Sequence, residues 1–372
     1  MEDFKAVLNK MDQAELAEQT QAVTDPEEII MHDDPETERR CRESVEEMLR
    51  NDGELPSLPP DDIWEPLPDD IWDSDIHSIL GSEVRNLEDA PKISTMIDSI
   101  DSRTYGGAIS GGYHIVAGVA GSGKTSWVLQ MCSNLLKEDK ARRERHDPED
   151  PPYTRGILIY SAEMPEYKVH RIMSYQLTEN DEIKVVPGVF PKYYVKPEAE
   201  KRIFCTYDKH IKYIKPVLNA GAWSKFKADM HKYAEAGVRV FVFDNLLTLV
   251  SMVSMDPAFK SATDFVLQGA VAAWLGNFAA ETDSYCFLIA HTKKDTGYAS
   301  TDPNDDISGN KAVVNLATLV MFFGELPREE RQDDPDTTDR LVRLTKNRDF
   351  DKKLLAGVRT EFKRETWSIS EK

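Results

Sequence analysis

The chain has 372 residues, 66 acidic against 46 basic side chains and a formal net charge of −20. That length holds one large domain with an extension, or two small ones, and no run approaches about 18 consecutive apolar residues, so no membrane-spanning helix is expected. The four cysteines, Cys41, Cys132, Cys205 and Cys286, form no C-x-x-C pair, which argues against zinc and for reduced thiols in a cytoplasmic protein.

The charge is not spread evenly. Residues 1–100 carry 28 acidic and 8 basic side chains, and the remaining 272 residues carry 38 of each. The acidic balance therefore says nothing against a local cationic channel in the C-terminal part. The start, MEDFKAVLNK, lacks the basic and apolar regions of a signal peptide. Residues 1–90 read as an acidic, proline-punctuated and largely disordered extension. Two short helices are expected within it, near Phe4–Leu16 and after Asp34-Pro35, the second with an apolar stripe of Cys41, Val45, Met48 and Leu49. A tandem motif follows, Pro60-Asp61-Asp62-Ile63-Trp64 and Pro68-Asp69-Asp70-Ile71-Trp72. Two tryptophans in so acidic a setting fit a docking motif for a protein partner, a mimic of a nucleic-acid backbone, or an anchor on the parent domain.

From about residue 91 the pattern becomes globular, and residues 91–372 read as one domain. The run Tyr113–Ala117 reads as a buried strand, and "GVAGSGKTSW" follows it, with Val128, Cys132, Leu135 and Leu136 at helical spacing behind. Strand, glycine loop and helix in that order make a P-loop. Backbone amides of Gly118, Gly121, Ser122, Gly123 and Ser126, at the start of a helix, suit phosphate oxygens. Lys124 would reach the β- and γ-phosphates of ATP, and Thr125 would hold Mg²⁺.

A charged loop is expected over Lys137–Arg155, then a strand at Ile157–Tyr160. Residues 165–215 give no clear pattern. Trp223, Phe226, Met230 and Tyr233 mark a helix that stops at Gly237. Strands at Val238–Phe243 and Tyr285–Ala290 flank a helical stretch near Ala262–Thr282, and short β-like runs close the chain. Alternating strands and helices imply an α/β fold with a mainly parallel sheet flanked by helices.

Three strand ends carry chemistry. "FVFDNLLTL" puts Asp244 at the carboxyl end of an apolar strand, where an acid can hold the Mg²⁺ water shell. "LIYSAEMP" puts Glu163 just past another strand, placed to orient or deprotonate an attacking water. "YCFLIAHTKKD" ends a third strand in His291, which can contact a γ-phosphate, with Lys293 and Lys294 behind it for a phosphate backbone.

The P-loop, Ser-Ala-Glu-Met, Asp-Asn-Leu, a strand-ending His and the late "RLTKNRDFDKK" together resemble the RecA-type motor domain of ring-forming replicative DNA helicases, the group of DnaB, Twinkle and the phage T7 primase-helicase. The resemblance spans about residues 90–372. It implies a RecA-like P-loop NTPase working as a homo-hexamer on single-stranded DNA, running 5′ to 3′, with loops near Ser251–Asp264 and Thr292–Lys311 lining a pore. It assigns Glu163 to hydrolysis, Asp244 to the metal, His291 to phosphate sensing, and Lys293, Lys294 and Lys311 to DNA. Arg348, with Lys346 beside it, becomes a candidate arginine finger for the neighbouring subunit. Where the family often has Arg-Gly-Ser, this chain has Ile307-Ser308-Gly309-Asn310-Lys311. The acidic extension offers no zinc-binding or primase part, so a primase or loader would be a separate polypeptide. A RecA-like ATPase that does not unwind, acting as a recombination or annealing accessory or a recruiting scaffold, shares the same pocket and stays open.

Overall fold

The computed structural model describes residues 86–145, 156–179, 181–188, 191–292, 304, 307, 311–326 and 339–372, all within the second of two compact units, Val84–Lys372. The two N-terminal helices, the tandem PDDIW motif, Lys293 and Lys294 lie outside the described residues.

A ribbon of β1 (Lys92–Ile93) and β2 (Ala108–Ile109) brackets one helical turn, α1 (Asp98–Asp101). β3 (Tyr113–Gly118) then runs through the P-loop into α2 (Lys124–Arg145). After β4 (Gly156–Ser161) come α3 (Glu166–Gln176), a hairpin of β5 (Ile183–Val186) and β6 (Lys192–Val195), α4 (Pro197–Tyr207) and β7 (Ile211–Ile214). α5 (Ala222–Glu235) leads to β8 (Val238–Asp244), α6 (Leu246–Ser254), α7 (Asp264–Thr282) and β9 (Tyr285–His291). Last come α8 (Lys311–Leu316), β10 (Leu319–Glu325), β11 (Arg340–Asn347), β12 (Leu354–Lys363) and β13 (Ser368–Glu371).

Among the described residues the central sheet has nine strands in the order β13-β12-β11-β10-β3-β9-β8-β4-β7. β10, β3, β9, β8, β4 and β7 are parallel, and β11, β12 and β13 extend the sheet antiparallel from β10. The parallel strands read as continuous apolar runs because helices cover both faces. Successive side chains alternate between those faces. Val116, Ile157, Ile159, Val240, Val242, Phe287 and Ile289 join the core under α2 and α3, with Trp127 and Met173. Ile115, Leu158, Tyr160, Phe241, Phe243, Leu288 and Ala290 join the opposite core under α5, α6 and α7, with Phe226, Leu249 and Phe278.

Two stretches differ from the sequence expectation. The charged run after Lys137 is not a loop from its start, because α2 continues to Arg145. Its charges pair along the helix, Lys140 with Glu144 at 3.3 Å and Arg143 with Asp139, and Arg142, Arg143 and Arg145 sit in the last turn, where the helix dipole favours cations. Within 165–215 the described residues form α3, the β5–β6 hairpin, α4 and the edge strand β7. α4 buries one narrow apolar face, α3 buries its C-terminal half, where Ser174 and Gln176 interrupt the apolar residues, and β5 and β6 are largely exposed, so no long apolar run marks them. The helix expected to stop at Gly237 does so: α5 ends at Glu235, and Gly237 adopts φ +97°. Among the described residues no helix is long and apolar enough to cross a membrane.

Candidate functional site

The C-terminal ends of β3, β9, β8 and β4 lie side by side, and the sequence-selected residues Gly118, His291, Asp244 and Glu163 stand on or just beyond them. This is the edge of an open parallel sheet where ligands are held. Backbone bonds tie the ends together, from Thr292 N to the Gly118 carbonyl at 3.2 Å and from Ala162 N to the Asp244 carbonyl at 3.1 Å.

The loop from Gly118 to Gly123 needs its glycines for two reasons. A Cβ at Gly118 would stand 2.3 Å from the Phe323 carbonyl oxygen of β10, so only glycine lets the two backbones approach. Gly121 turns the loop at φ +77°, which a side chain would strain although nothing fills the space around it. Ser122 and Ser126 flank the turn and are buried. Lys124, also buried, donates from Nζ to the Val119 carbonyl at 2.7 Å, so its ammonium folds back into the loop. Burial pulls its pKa below the usual lysine value, against the opposing pull of Glu163 and Asp244.

Asp244 is the most constrained acid at this edge. Its Oδ2 accepts from Ser161 Oγ at 3.1 Å and stands 3.4 Å from Thr125 Oγ1, while its Oδ1 is buried with no hydrogen-bond partner. Burial, with the charge of Glu163, pushes its pKa up to about 6. A buried carboxylate oxygen without a donor, close to a threonine hydroxyl, is a hard-oxygen pair that suits Mg²⁺. Among the described residues no group of three or more His, Cys, Asp or Glu could hold a metal on its own.

Glu163 lies in the turn between β4 and α3, and its side chain is half exposed. The turn is fixed from below: Tyr213 Oη donates to the Ser161 and Met164 carbonyls at 2.9 and 3.0 Å, and Met164 N donates to Ser161 Oγ at 3.0 Å. One carboxylate oxygen, Oε2, contacts both Asn245 Nδ2 at 2.6 Å and His291 Nε2 at 2.9 Å. Burial would raise its pKa, but these bonds and the charges of His291 and Lys124 hold it below the ordinary glutamate value. A carboxylate so held stays ionised and can orient or deprotonate a water.

A cleft of about 500 Å³, lined by none of these residues, was not evident in the sequence. Trp367, between β12 and β13, stacks with Tyr175 of α3 at 6.2 Å, and the Arg171 guanidinium lies 5.7 Å from the Trp367 ring centre. Phe362, Lys192 and Arg364 also line it. Gln176 Nε2 bridges the Ser126 carbonyl, in the first turn of α2, to the Trp367 carbonyl, each at 2.9 Å. The cleft is thus one side chain away from the P-loop helix. The aromatic residues around Arg364 were the only sequence signal for it.

Arg348 is not brought to the P-loop. Asn347 pairs with Leu319, and Leu319 with His114, so Arg348 follows β11 at the end of the sheet where the parallel strands begin. There Lys346 Nζ donates to the Val314 and Asn315 carbonyls at 2.8 and 2.6 Å, and Arg348 Nη2 donates to the Asn315 carbonyl. Burial, with Arg348 and Lys353 nearby, lowers the Lys346 pKa to about 8. Lys311 opens the same short helix, α8, and is exposed.

A profile of the AAA domain matches residues 82–297, more than half of the chain. The chain belongs to the AAA domain family. The fold of this AAA-domain protein is RecA-like, and it is shared with solved helicase and ATPase structures. One is described as a DnaB-like replicative helicase and its interactions with primase, at 13% identity and a TM-score of 0.53, over 76% of this chain and 63% of that one. Another is described as an ATPase domain, at 12% identity and a TM-score of 0.54, over 75% of this chain and 91% of that one. The AAA-domain protein thus spans less than two thirds of the DnaB-like chain. No curated protein sequence matches it.

Proposed function

We propose that this AAA-domain protein hydrolyses ATP with Mg²⁺ to move along single-stranded DNA and to unwind the duplex ahead, as a ring of identical subunits. The observation that carries the hydrolytic core of this reading is the gathering of Lys124, Asp244, Glu163 and His291 at one sheet edge; the ring of subunits is supported by the distance between Arg348 and the chain's own P-loop. Arg348 adjoins Asn347, whose partner Leu319 is level with His114, and the loop begins after Gly118. Four residues of strand separate the two levels, on the order of 13 Å at about 3.3 Å per residue. A basic pair at the far end of the strands cannot serve its own nucleotide. It can serve a neighbour's, and head-to-tail contacts of that kind close into rings.

At each site the loop amides and Lys124 would take the phosphates, and Thr125 and Asp244 would hold the metal. Bound Mg²⁺ would neutralise charge on the phosphate oxygens. Glu163 would direct the attacking water, and His291 would pass between Glu163 and the γ-phosphate. The cleft of Trp367, Tyr175 and Arg171 would seat the base by stacking. Lys311, with Lys293 and Lys294, would contact the DNA backbone, an interaction that weakens with salt. Hexameric ring size, a separate primase or loader, and a protein partner for the acidic extension belong to the same reading.

The test is displacement of a labelled strand from a 5′-tailed fork with ATP and Mg²⁺, with Lys124→Ala as the control. Unwinding by the wild type alone is the expected result. ATP turnover stimulated by single strands without displacement would replace the motor by a non-unwinding accessory ATPase.

A further inference from the structure

Asn245 belongs to no part of the reaction assigned above, yet its amide is committed at both ends. The Oδ1 accepts from Thr248 N at 3.3 Å and caps α6, and the Nδ2 donates to Glu163 Oε2 at 2.6 Å. The side chain is more than nine-tenths buried, at 8% exposure, so the amide is held by the helix it caps. Glu163, in contrast, sits in a turn with its side chain half exposed.

The other donor to Glu163 Oε2 is His291, at the tip of β9. If that imidazole turns toward a γ-phosphate, Glu163 loses one of its two restraints, and only the Asn245 amide continues to fix the carboxylate. With Oε2 taken up by Asn245, an attacking water would be met through the other oxygen, Oε1. An amide anchored on a helix N-terminus is better suited to this than a surface side chain, because its own rotamer is already fixed.

We infer that Asn245 is a positioning residue for ATP hydrolysis, holding the Glu163 carboxylate through Oε2 from the N-terminus of α6. This rests on the hydrolytic reading of Glu163. It does not depend on whether the protein moves on DNA.

The capping and donating roles separate cleanly by substitution. Serine caps a helix about as well as asparagine but is too short to carry an amide to Glu163. Asn245→Ser in the full chain should therefore keep thermal stability and ATP affinity near wild type and lower kcat roughly tenfold, the scale of a hydrogen bond to a charged group. Asn245→Gln, which restores an amide donor with a longer reach, should recover part of kcat although it caps less well. Steady-state turnover, with and without a single-stranded oligonucleotide, and equilibrium ATP binding give the readouts. Wild-type kcat in Asn245→Ser would overturn the inference and leave Asn245 a helix cap only. A wild-type chain that binds ATP without hydrolysing it would overturn the hydrolytic reading together with this one.

Discussion

His291 and Glu163 meet across the tip of β8, with the imidazole Nε2 2.9 Å from the carboxylate Oε2. β9 and β4 are not neighbours in the sheet, so the contact spans the strand that ends in Asp244. A phosphate drawing His291 away would change the surroundings of Glu163 directly. Glu163→Gln should then lower single-turnover ATP hydrolysis by about 10²–10⁴-fold, the usual worth of a positioned acid–base group, with little change in ATP affinity. His291→Ala should lower turnover as well but leave more of it. Quench-flow hydrolysis beside equilibrium nucleotide binding checks both, and a Glu163→Gln chain retaining half its rate would remove Glu163 from the chemistry.

The cleft at Trp367 yields a binding prediction. A stacked base loses about 1 kcal/mol or more when its aromatic partner is truncated, so Trp367→Ala should weaken ATP roughly five- to tenfold. Inorganic triphosphate has no base and should bind wild type and variant alike. Competition of both ligands against a fluorescent nucleotide provides the comparison. An equal loss for both would mean that the Trp367 ring supports the P-loop through its packing on Tyr175 rather than by meeting the base.

The strand ends were legible in the sequence because each is a run of buried apolar residues stopped by one polar side chain: Asp244 after Phe243, His291 after Ala290, Ser161 before Glu163. Such runs occur only where both sheet faces are covered, so they locate the ligand edge as well as the strands. The cleft was not legible, because Tyr175 and Trp367 stack although they are almost 200 positions apart in the chain. The extent of α2 was hidden for a different reason: its last turns are held by i,i+4 charge pairs on a solvated face, a pattern that composition alone assigns to a loop. The double use of the Asn245 amide depends on the approach of the β4–α3 turn to β8, which no local pattern reports.

Arg348 can be tested for action between subunits. Alone, Arg348→Ala should reduce ATP turnover by about 10³-fold or more, as loss of an arginine finger does, with nucleotide binding retained. Mixed with Lys124→Ala chains, it should regain activity, because an intact P-loop on one chain then meets an intact Arg348 on the other. Turnover across mixing ratios should rise to a maximum between the two inactive end points. A flat line at the background of the single variants would place Arg348 outside the catalytic site of any neighbour.

The last prediction concerns stability. His114, on the central strand β3, is fully buried, contacts the Ile109 carbonyl through Nε2 at 2.9 Å, and has no partner for Nδ1. This is the pattern of a neutral ring with its one proton on Nε2. Burial lowers its pKa to about 4 from the ordinary 6.5, only partly offset by the bond to Ile109. The unfolded chain accepts a proton near pH 6.5 and the folded chain resists until about pH 4, so folding competes with protonation in that window. The associated stability is present in full above pH 6.5, falls as pH drops toward 4, and falls no further below it. The loss is roughly 3 kcal/mol at about 1.4 kcal/mol per pH unit. His114→Gln keeps a donor for Ile109 and removes the titration, at some cost in packing at pH 7. Urea unfolding at several pH values between 4 and 7 should show the stability gap between wild type and variant closing by that amount as the pH falls. A gap that stays constant would mean that the buried imidazole takes up its proton equally easily in the folded and unfolded chain.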